Sequence, residues 1–320
     1  RKTGFIIASV GNSVVSICAA YSIFIQNFSL FCFVNFFLGV GMAFTHQYRF
    51  AAAESVDKDK VPKAISIILL GGIVSAVIGP GLANYAKDIV SNHLYVGSYL
   101  SLAVLTFLPS IFFLFYKNTK KIEINIKYSG RNYLELISQP RYLQAIVASA
   151  FGYAIMTFLM TATPLSMHVM EGMSLSNTSV VIQIHVAAMF LPSLITGNLV
   201  KKFGHSKIMY AGVSLYSITV IASFFDQSFL NYMFALIFLG FGWNFLFISG
   251  TSLLVLTYKE EEKFRAQGLN DFIVYSVHAI GSLSAGILIV LTDWKMMNII
   301  LSLIHISEPT RQAEISYAVF

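Results

Sequence analysis

The chain has 320 residues, of which 56% are hydrophobic and 11% charged, and its mean hydropathy is +0.71. A soluble domain carries about 25% charged residues; a chain this poor in charge has no way to hide its apolar surface in water, which excludes a soluble globule and points to lipid. The net charge of +6 invites a nucleic-acid reading, which the placement of the charges argues against.

A membrane helix needs about 20 mostly apolar residues. From Thr3 to Tyr48 there is no Lys, Arg, Asp or Glu, enough for two spans, with Gln26-Asn27 and Ser29 marking the hairpin. Further spans are expected at 64–84, 96–116, 143–168, 178–200, 208–225, 229–256 and 272–291, about nine in all. Each must be helical, because backbone groups in lipid cannot be left unpaired. Cys18 and Cys32 sit inside apolar runs and are expected to be buried small hydrophobes, not a disulfide framework. The absence of an initiator methionine and of a signal peptide suggests a fragment or an internal start.

Orientation follows from the basic residues. Alternate connectors hold Arg1 and Lys2; Arg49 to Lys63; Lys117 to Arg141; Lys201, Lys202 and Lys207; and Lys259, Lys263 and Arg265, which together account for 18 of the 21 Lys and Arg. The other side keeps Lys87 and Lys295, and Arg311 falls in the C-terminal tail, residues 301–320. The basic excess is therefore a topology signal that places these connectors in the cytoplasm, in a multi-pass protein of the plasma (bacterial inner) membrane, with the bilayer as partner and no nucleic acid. Residues 117–141 form the longest polar connector, a cytoplasmic linker, within which Asn132–Ser138 suits a short interfacial helix before Pro140. Arg1-Lys2-Thr3 and His205-Ser206-Lys207 each precede a span, and Lys63-Ala64 and Arg265-Ala266 each open one, at offsets of 204 and 202 residues. Near-equal offsets imply a duplicated unit.

The segment Gly197–Lys207, GNLVKKFGHSK, resembles a signature of the major facilitator superfamily, G-x-L-a-D-R-x-G-R-R/K, found between helices two and three and, degenerate, between helices eight and nine. Gly197, Leu199, Lys202 and Gly204 fit; Lys201 stands in place of the acid and His205 in place of the arginine. Asn35–Ala43, NFFLGVGMA, resembles the pattern R-x-x-Q-G-x-G-A-A of the same family, with Asn35 replacing an arginine associated with proton transfer. The resemblance implies an all-α membrane bundle of two pseudo-symmetric halves: residues 1–116 (helices resembling the third to sixth) and 142–300 (the seventh to eleventh and the start of the twelfth), truncated at both ends. Gly72, Gly79 and Pro80 make a small-residue face that partly resembles the glycine-proline motif of drug:proton antiporters; plain helix packing accounts for it equally well. Leu301–Arg311, LSLIHISEPTR, resembles one reading frame of a transposase-type sequencing adapter, so residues 301–320 are expected to be a library artefact; the alternative is a genuine polar tail.

No metal-ligand spacing, nucleotide loop or nucleophile-base pair is present, so neither an enzyme nor a metal or cofactor is expected. Polar residues inside spans are informative, since a charge at the bilayer centre costs about 2.5–3.5 kcal/mol. Asn35, Gly39, Met42, His46 and Arg49 share one helical face, although Arg49 could simply anchor a helix end. Tyr153, Thr157 and Thr161 form a hydroxyl stripe, which could also bond back to its own helix. Asp271, Tyr275, His278 and Ser282 form the cleanest stripe; Asn270 or Asp271 could be an N-cap. His278, with Asp271, is the candidate for proton coupling. His185 and Gln183 point about 200° apart, and His185 is the one expected in a cavity. Trp243 is expected to pack, and Asn244 to line the cavity. The expectation is a secondary transporter that meets a small organic solute at Asn35, His46, Arg49, Tyr153, Thr157, Thr161, His185, Asn244, Tyr275 and His278. Alternating access and proton-coupled efflux are the expected mechanism and direction. The alternatives are an importer or facilitator of the same fold and a non-transporting solute sensor.

Overall fold

The computed structural model describes residues 1–116 and 130–306. Among the described residues there are thirteen α-helices and no strand: α1 (Lys2–Phe24), α2 (Phe28–His46), α3 (Tyr48–Glu54), α4 (Val61–Ala86), α5 (Val96–Leu114), α6 (Tyr133–Ile137), α7 (Pro140–Pro164), α8 (Leu175–Phe190), α9 (Ser193–Phe203), α10 (His205–Ala222), α11 (Phe229–Val255), α12 (Lys263–Leu291) and α13 (Trp294–Ile306). Among the described residues, eight stretches are long and apolar enough to cross a bilayer, with α2–α3 and α8–α9 each counting as one. The ninth expected span corresponds to α10, which opens on polar His205-Ser206-Lys207 and is not among the eight. The first part of the linker, residues 117–129, and the tail from residue 307 onward lie outside the described residues, so the reading of the tail rests on sequence alone.

Local chemistry sets the boundaries. The first hairpin turns where expected: Gln26 takes φ 55°, and the Asn27 side chain caps α2 by accepting from Leu30 N at 2.9 Å. Asn132 and Glu135 close a capping box on α6, and Pro140 stands in the first turn of α7, where its missing N–H costs nothing. Pro164 ends α7, and the chain continues as a π-helical turn over Leu165–Met170. The glycine-flanked segment 197–207 is mostly helix; the turn is confined to Gly204, whose φ of 87° lies in the region that favours glycine. α12 starts at Lys263, so Asn270 and Asp271 lie inside it and cap nothing.

The chain divides into two compact units. Unit 1 comprises Arg1–Ser55 and Val74–Ile124; unit 2 comprises Val56–Ile73 and Asn125–Phe320. In unit 1, α1 packs along α5 and α2. Arg1 forms a two-point pair with Glu54, Nε to Oε2 at 2.9 Å and Nη2 to Oε1 at 2.5 Å. Lys2 Nζ donates to Leu114 O at 2.6 Å, so the start of α1 and the ends of α3 and α5 share one end of the unit. In unit 2, α7 packs against α11 and α12, and α11 also packs against α8 and α10. Trp243, Tyr142, Tyr216, Tyr232 and Phe247 are fully buried there.

The cationic connectors of unit 2 also gather at one end. Arg131 forms a two-point pair with Glu262, Nε to Oε1 at 2.7 Å and Nη2 to Oε2 at 2.6 Å. Arg141 donates to Ser206 at 3.2 Å and Lys201 to Asp59 at 3.1 Å. The hydrogen bonds that Arg131 donates to the Glu262 carboxylate hold its guanidinium above its ordinary pKa. His205, outside the expected span 208–225, is pushed down to about 4, first by burial and then by Arg141. It is neutral near pH 7 and does not replace the charge of an arginine.

Large apolar side chains cover the outer surfaces. Phe28, Phe36 and Phe112 are about as exposed in unit 1 as Phe272, Leu283 and Val290 are in unit 2. A surface of this kind is matched to hydrocarbon. Cys18 and Cys32 belong to it: both are free and exposed, not buried as expected, because they lie on the outward faces of α1 and α2.

Candidate functional site

The polar residues of unit 2 converge where α7, α11 and α12 meet. α12 runs parallel to α7: Tyr142 OH donates to Ala266 O at 2.8 Å near one end, and Thr161 Oγ1 meets Ser282 Oγ at 3.4 Å further along. α11 runs antiparallel to α7, with Ser149 against Gly250 and Ser166 Oγ 2.6 Å from Tyr232 OH. Helical periodicity then brings Tyr153, Thr157 and Thr161 of α7 face to face with Tyr275, His278 and Ser282 of α12.

Thr157 Oγ1 lies 2.7 Å from His278 Nδ1. This contact fixes the imidazole plane and engages one ring nitrogen; no protein group among the described residues hydrogen-bonds Nε2. The Tyr153 ring is the hub of an aromatic cluster, with centroids 5.3 Å from Trp243, 5.0 Å from Phe247, 5.7 Å from Tyr275 and 5.3 Å from His278, all steeply inclined. Such edge-to-face pairs are the favoured arrangement. Trp243 stacks on Phe247 at 5.0 Å and 17°. Trp243 and Phe247 are each 1% exposed and Tyr153 9%, whereas Tyr275, His278 and Ser282 are half-buried. The result is an aromatic floor with a hydroxyl and imidazole edge. The indole Nε1 of Trp243 is buried without a partner, a donor that a buried acceptor would satisfy. The sequence reading treats Trp243 as packing and passes over Phe247; its four-residue step from Trp243 was the available signal among 28 phenylalanines.

Other expected site residues lie elsewhere. His185 is fully buried between α8 and α11, with Nδ1 2.8 Å from Leu236 O, while Gln183 is exposed; the imidazole faces a helix interface, because the backbone carbonyl of α11 offers it a partner. Asn244 is fully buried and bonded to the α8–α9 junction, through Met189 O and Ser193 Oγ as acceptors at 2.7 Å, with Thr196 Oγ1 2.7 Å from its Oδ1. Asp271 accepts from Asn270 Nδ2 at 2.9 Å, two turns before His278. In unit 1, Asn35 Nδ2 donates to Phe31 O at 2.8 Å and Asn35 Oδ1 accepts from Tyr99 OH at 3.4 Å. Phe31 and Tyr99 line a cavity of about 650 Å³ together with Ile23, Ala83, Lys87, Tyr95 and Ser98. Gly39 and Met42 are exposed, His46 is half-buried, and Arg49 is 2% exposed.

A family model described as Major Facilitator Superfamily matches residues 1–282. The chain belongs to the major facilitator superfamily, a family of membrane transporters. It is 35% identical over 300 residues to the riboflavin transporter RfnT of Brucella anthropi, covering 93% of this chain and 75% of that one. It is 28% identical over 315 residues to YddS of Bacillus subtilis, an uncharacterized MFS-type transporter, covering 92% and 71%. Among solved structures, the superfamily transporter FucP in the outward conformation matches with a TM-score of 0.70 at 16% identity, covering 98% of this chain and 82% of that one. A bacterial homologue of the iron transporter ferroportin in an outward-facing state matches at 0.67 and 14% identity, covering 100% and 84%. At these identities the two structures speak for the fold alone.

Two elements that resemble superfamily signatures serve close helix approach. Gly41 lies against the Asn12 side chain of α1, where a Cβ would overlap it. A Cβ on Gly197 would come within 2.7 Å of Ser66 Oγ and 2.8 Å of Lys63 Cα on α4. Gly72 of the small-residue face lies flat against the Phe190 ring, with its Cβ position 2.5 Å from ring carbons, whereas Gly79 has Ser75 alone near it, at 4.0 Å. The side chain of Pro80 lies outside the described residues. Lys202 extends over the Phe203 ring at 5.1 Å.

Proposed function

We propose that this chain moves a small organic solute with a flat heteroaromatic part across the cytoplasmic membrane by alternating access, and that the solute meets the Tyr153–Thr157–His278 face of unit 2. The observation that carries this reading is the convergence of five rings and the Thr157–His278 contact in a membrane-embedded bundle, three rings buried as a floor and Tyr275 and His278 half-buried at its edge. Aromatic faces and edges favour stacking on a planar ring, and the hydroxyls and His278 Nε2 suit its peripheral acceptors and donors. The likeness to a riboflavin transporter makes riboflavin the first probe. The cationic connectors are taken to face the cytoplasm.

His278 is the proposed proton carrier, since an imidazole changes charge near neutral pH, with Asp271 two turns away on the same helix. Export in exchange for protons is the direction taken, supported by the glycine-rich face of α4; import, facilitated movement and binding without flux are the outcomes that would replace it. The test is flux of riboflavin in proteoliposomes under an imposed pH gradient. Transport that reverses with the gradient, and a His278→Gln protein that loses gradient-driven flux while keeping solute exchange, support the reading. Loss of both activities together contradicts the proton role, and binding without flux contradicts transport.

A further inference from the structure

Residues 175–203 form one apolar stretch long enough to span a bilayer, yet it is broken between α8 and α9 at Leu191-Pro192. Proline removes a backbone donor and clashes with the preceding turn, so the carbonyls before it lose helical partners. In lipid such groups must be satisfied by the protein. Asn244 of α11 supplies the bonds on both sides of the break. Its Nδ2 donates to Met189 O in the last turn of α8 and to Ser193 Oγ in the first turn of α9, both at 2.7 Å. Its Oδ1 lies 2.7 Å from Thr196 Oγ1 one turn further, a hydroxyl whose one proton is shared with Pro192 O at 2.8 Å. Two bonds donated by one fully buried amide, one to each segment, therefore hold the angle between them.

What lies on either side of the break gives this staple a consequence. Before it, Phe190 ends α8 with its ring edge-on to Trp243, centroids 5.7 Å apart, and flat against Gly72 of α4. Trp243 precedes Asn244 and belongs to the aromatic floor. After the break, Gly197 of α9 admits Pro62, Lys63 and Ser66 of α4 to contact that no side chain would allow, and Lys201 pairs with Asp59 at 3.1 Å. One junction thus faces the aromatic cluster on one side and the close packing of α4 on the other. Polar side chains that satisfy a broken membrane helix fix its geometry.

We infer that Asn244 is a positioning residue for transport: by clamping both sides of the α8–α9 break it sets Phe190 between Trp243 and Gly72, and so couples the solute face of unit 2 to the packing of α4 on α9. The solute half of this statement rests on the function proposed above; the packing half does not.

The experiment uses the full-length protein with Cys18→Ser and Cys32→Ser, and a cysteine pair placed by Asp59→Cys and Lys201→Cys. A short bis-maleimide reads α4–α9 packing with no solute present, and riboflavin uptake reads KM and Vmax in the parent without the cysteine pair. For Asn244→Ala the cross-linking rate is expected to fall about tenfold, the order expected when one buried polar partner is removed. The KM is expected to rise by a similar factor, with Vmax per folded protein nearly unchanged. Ser193→Ala, which removes one acceptor, should act in the same direction with a smaller effect, so the inference stays testable if Asn244→Ala folds poorly. In a Pro192→Ala background the Asn244→Ala change should add little, because the break it serves is gone. Wild-type cross-linking in Asn244→Ala and Ser193→Ala, or a KM that moves while cross-linking stays fixed, overturns the inference. If the parent shows no response to riboflavin, the functional reading fails, and the cross-linking arm still decides the positioning role.

Discussion

On α12, Tyr275, His278 and Ser282 face α7 and find Tyr153, Thr157 and Thr161 opposite them. On α2, Asn35, Gly39, Met42 and His46 recur at the same helical spacing, yet Asn35 turns to Phe31 and Tyr99 while Gly39 and Met42 stay exposed. The two stripes have the same periodicity and opposite outcomes. A stripe becomes a candidate site when neighbouring helices present a matching stripe to it, and in unit 2 that neighbour is α7. The ion pairs at the cationic ends of the units differ in the same way. Arg1–Glu54 leaves the carboxylate side chain 21% exposed, whereas Arg131–Glu262 leaves it 1% exposed. Glu262 also accepts from the backbone N–H groups of Arg131 and Lys259, each at 2.9 Å.

These contrasts can be broken in order of expected effect. Tyr153→Ala removes the ring that touches four others, and unit 2 is expected to lose about 3–5 kcal/mol, read as a lower thermal midpoint in detergent, together with riboflavin affinity. A full-strength affinity would detach the cluster from the solute. Glu262→Gln should cost about 3 kcal/mol, because it removes a buried carboxylate charge that Arg131 and two backbone N–H groups bind. Glu54→Gln should cost about 1 kcal/mol, since that carboxylate is the more exposed of the two. Equal shifts in thermal midpoint would show that burial does not separate the two clamps. Asn35→Ala is expected to matter least, at about 0.6 kcal/mol and less than threefold in KM. A larger rise in KM would place the solute against unit 1 as well.

Much of this was legible in sequence. Charge-free intervals located most helix ends to within a few residues, the start of α12 and the α8–α9 break excepted, since lipid tolerates neither charge nor unpaired backbone. The α7 and α12 stripes were readable because periodicity fixes which side chains share a face. Asn244 meets the α8–α9 junction because a polar residue in a span satisfies a backbone group freed by a helix break, and sequence does not show where a neighbouring helix breaks. The break at Pro192 was the missing fact. His185 instead shares the Leu236 carbonyl of the unbroken α11. The N-cap alternative for Asn270 and Asp271 fails because α12 begins nine residues before the apolar run, with Lys263–Asp271 as its first segment. The aromatic floor stayed hidden for a different reason: in a chain with 28 phenylalanines and 16 tyrosines, composition does not single out the rings that meet.

The most direct test of the central claim is riboflavin quenching of tryptophan fluorescence in a protein whose one tryptophan is Trp243. Solute at the Tyr153–Trp243–His278 face predicts saturable quenching that Thr157→Val weakens in step with the transport KM. Transport of riboflavin with Trp243 emission unchanged would contradict it.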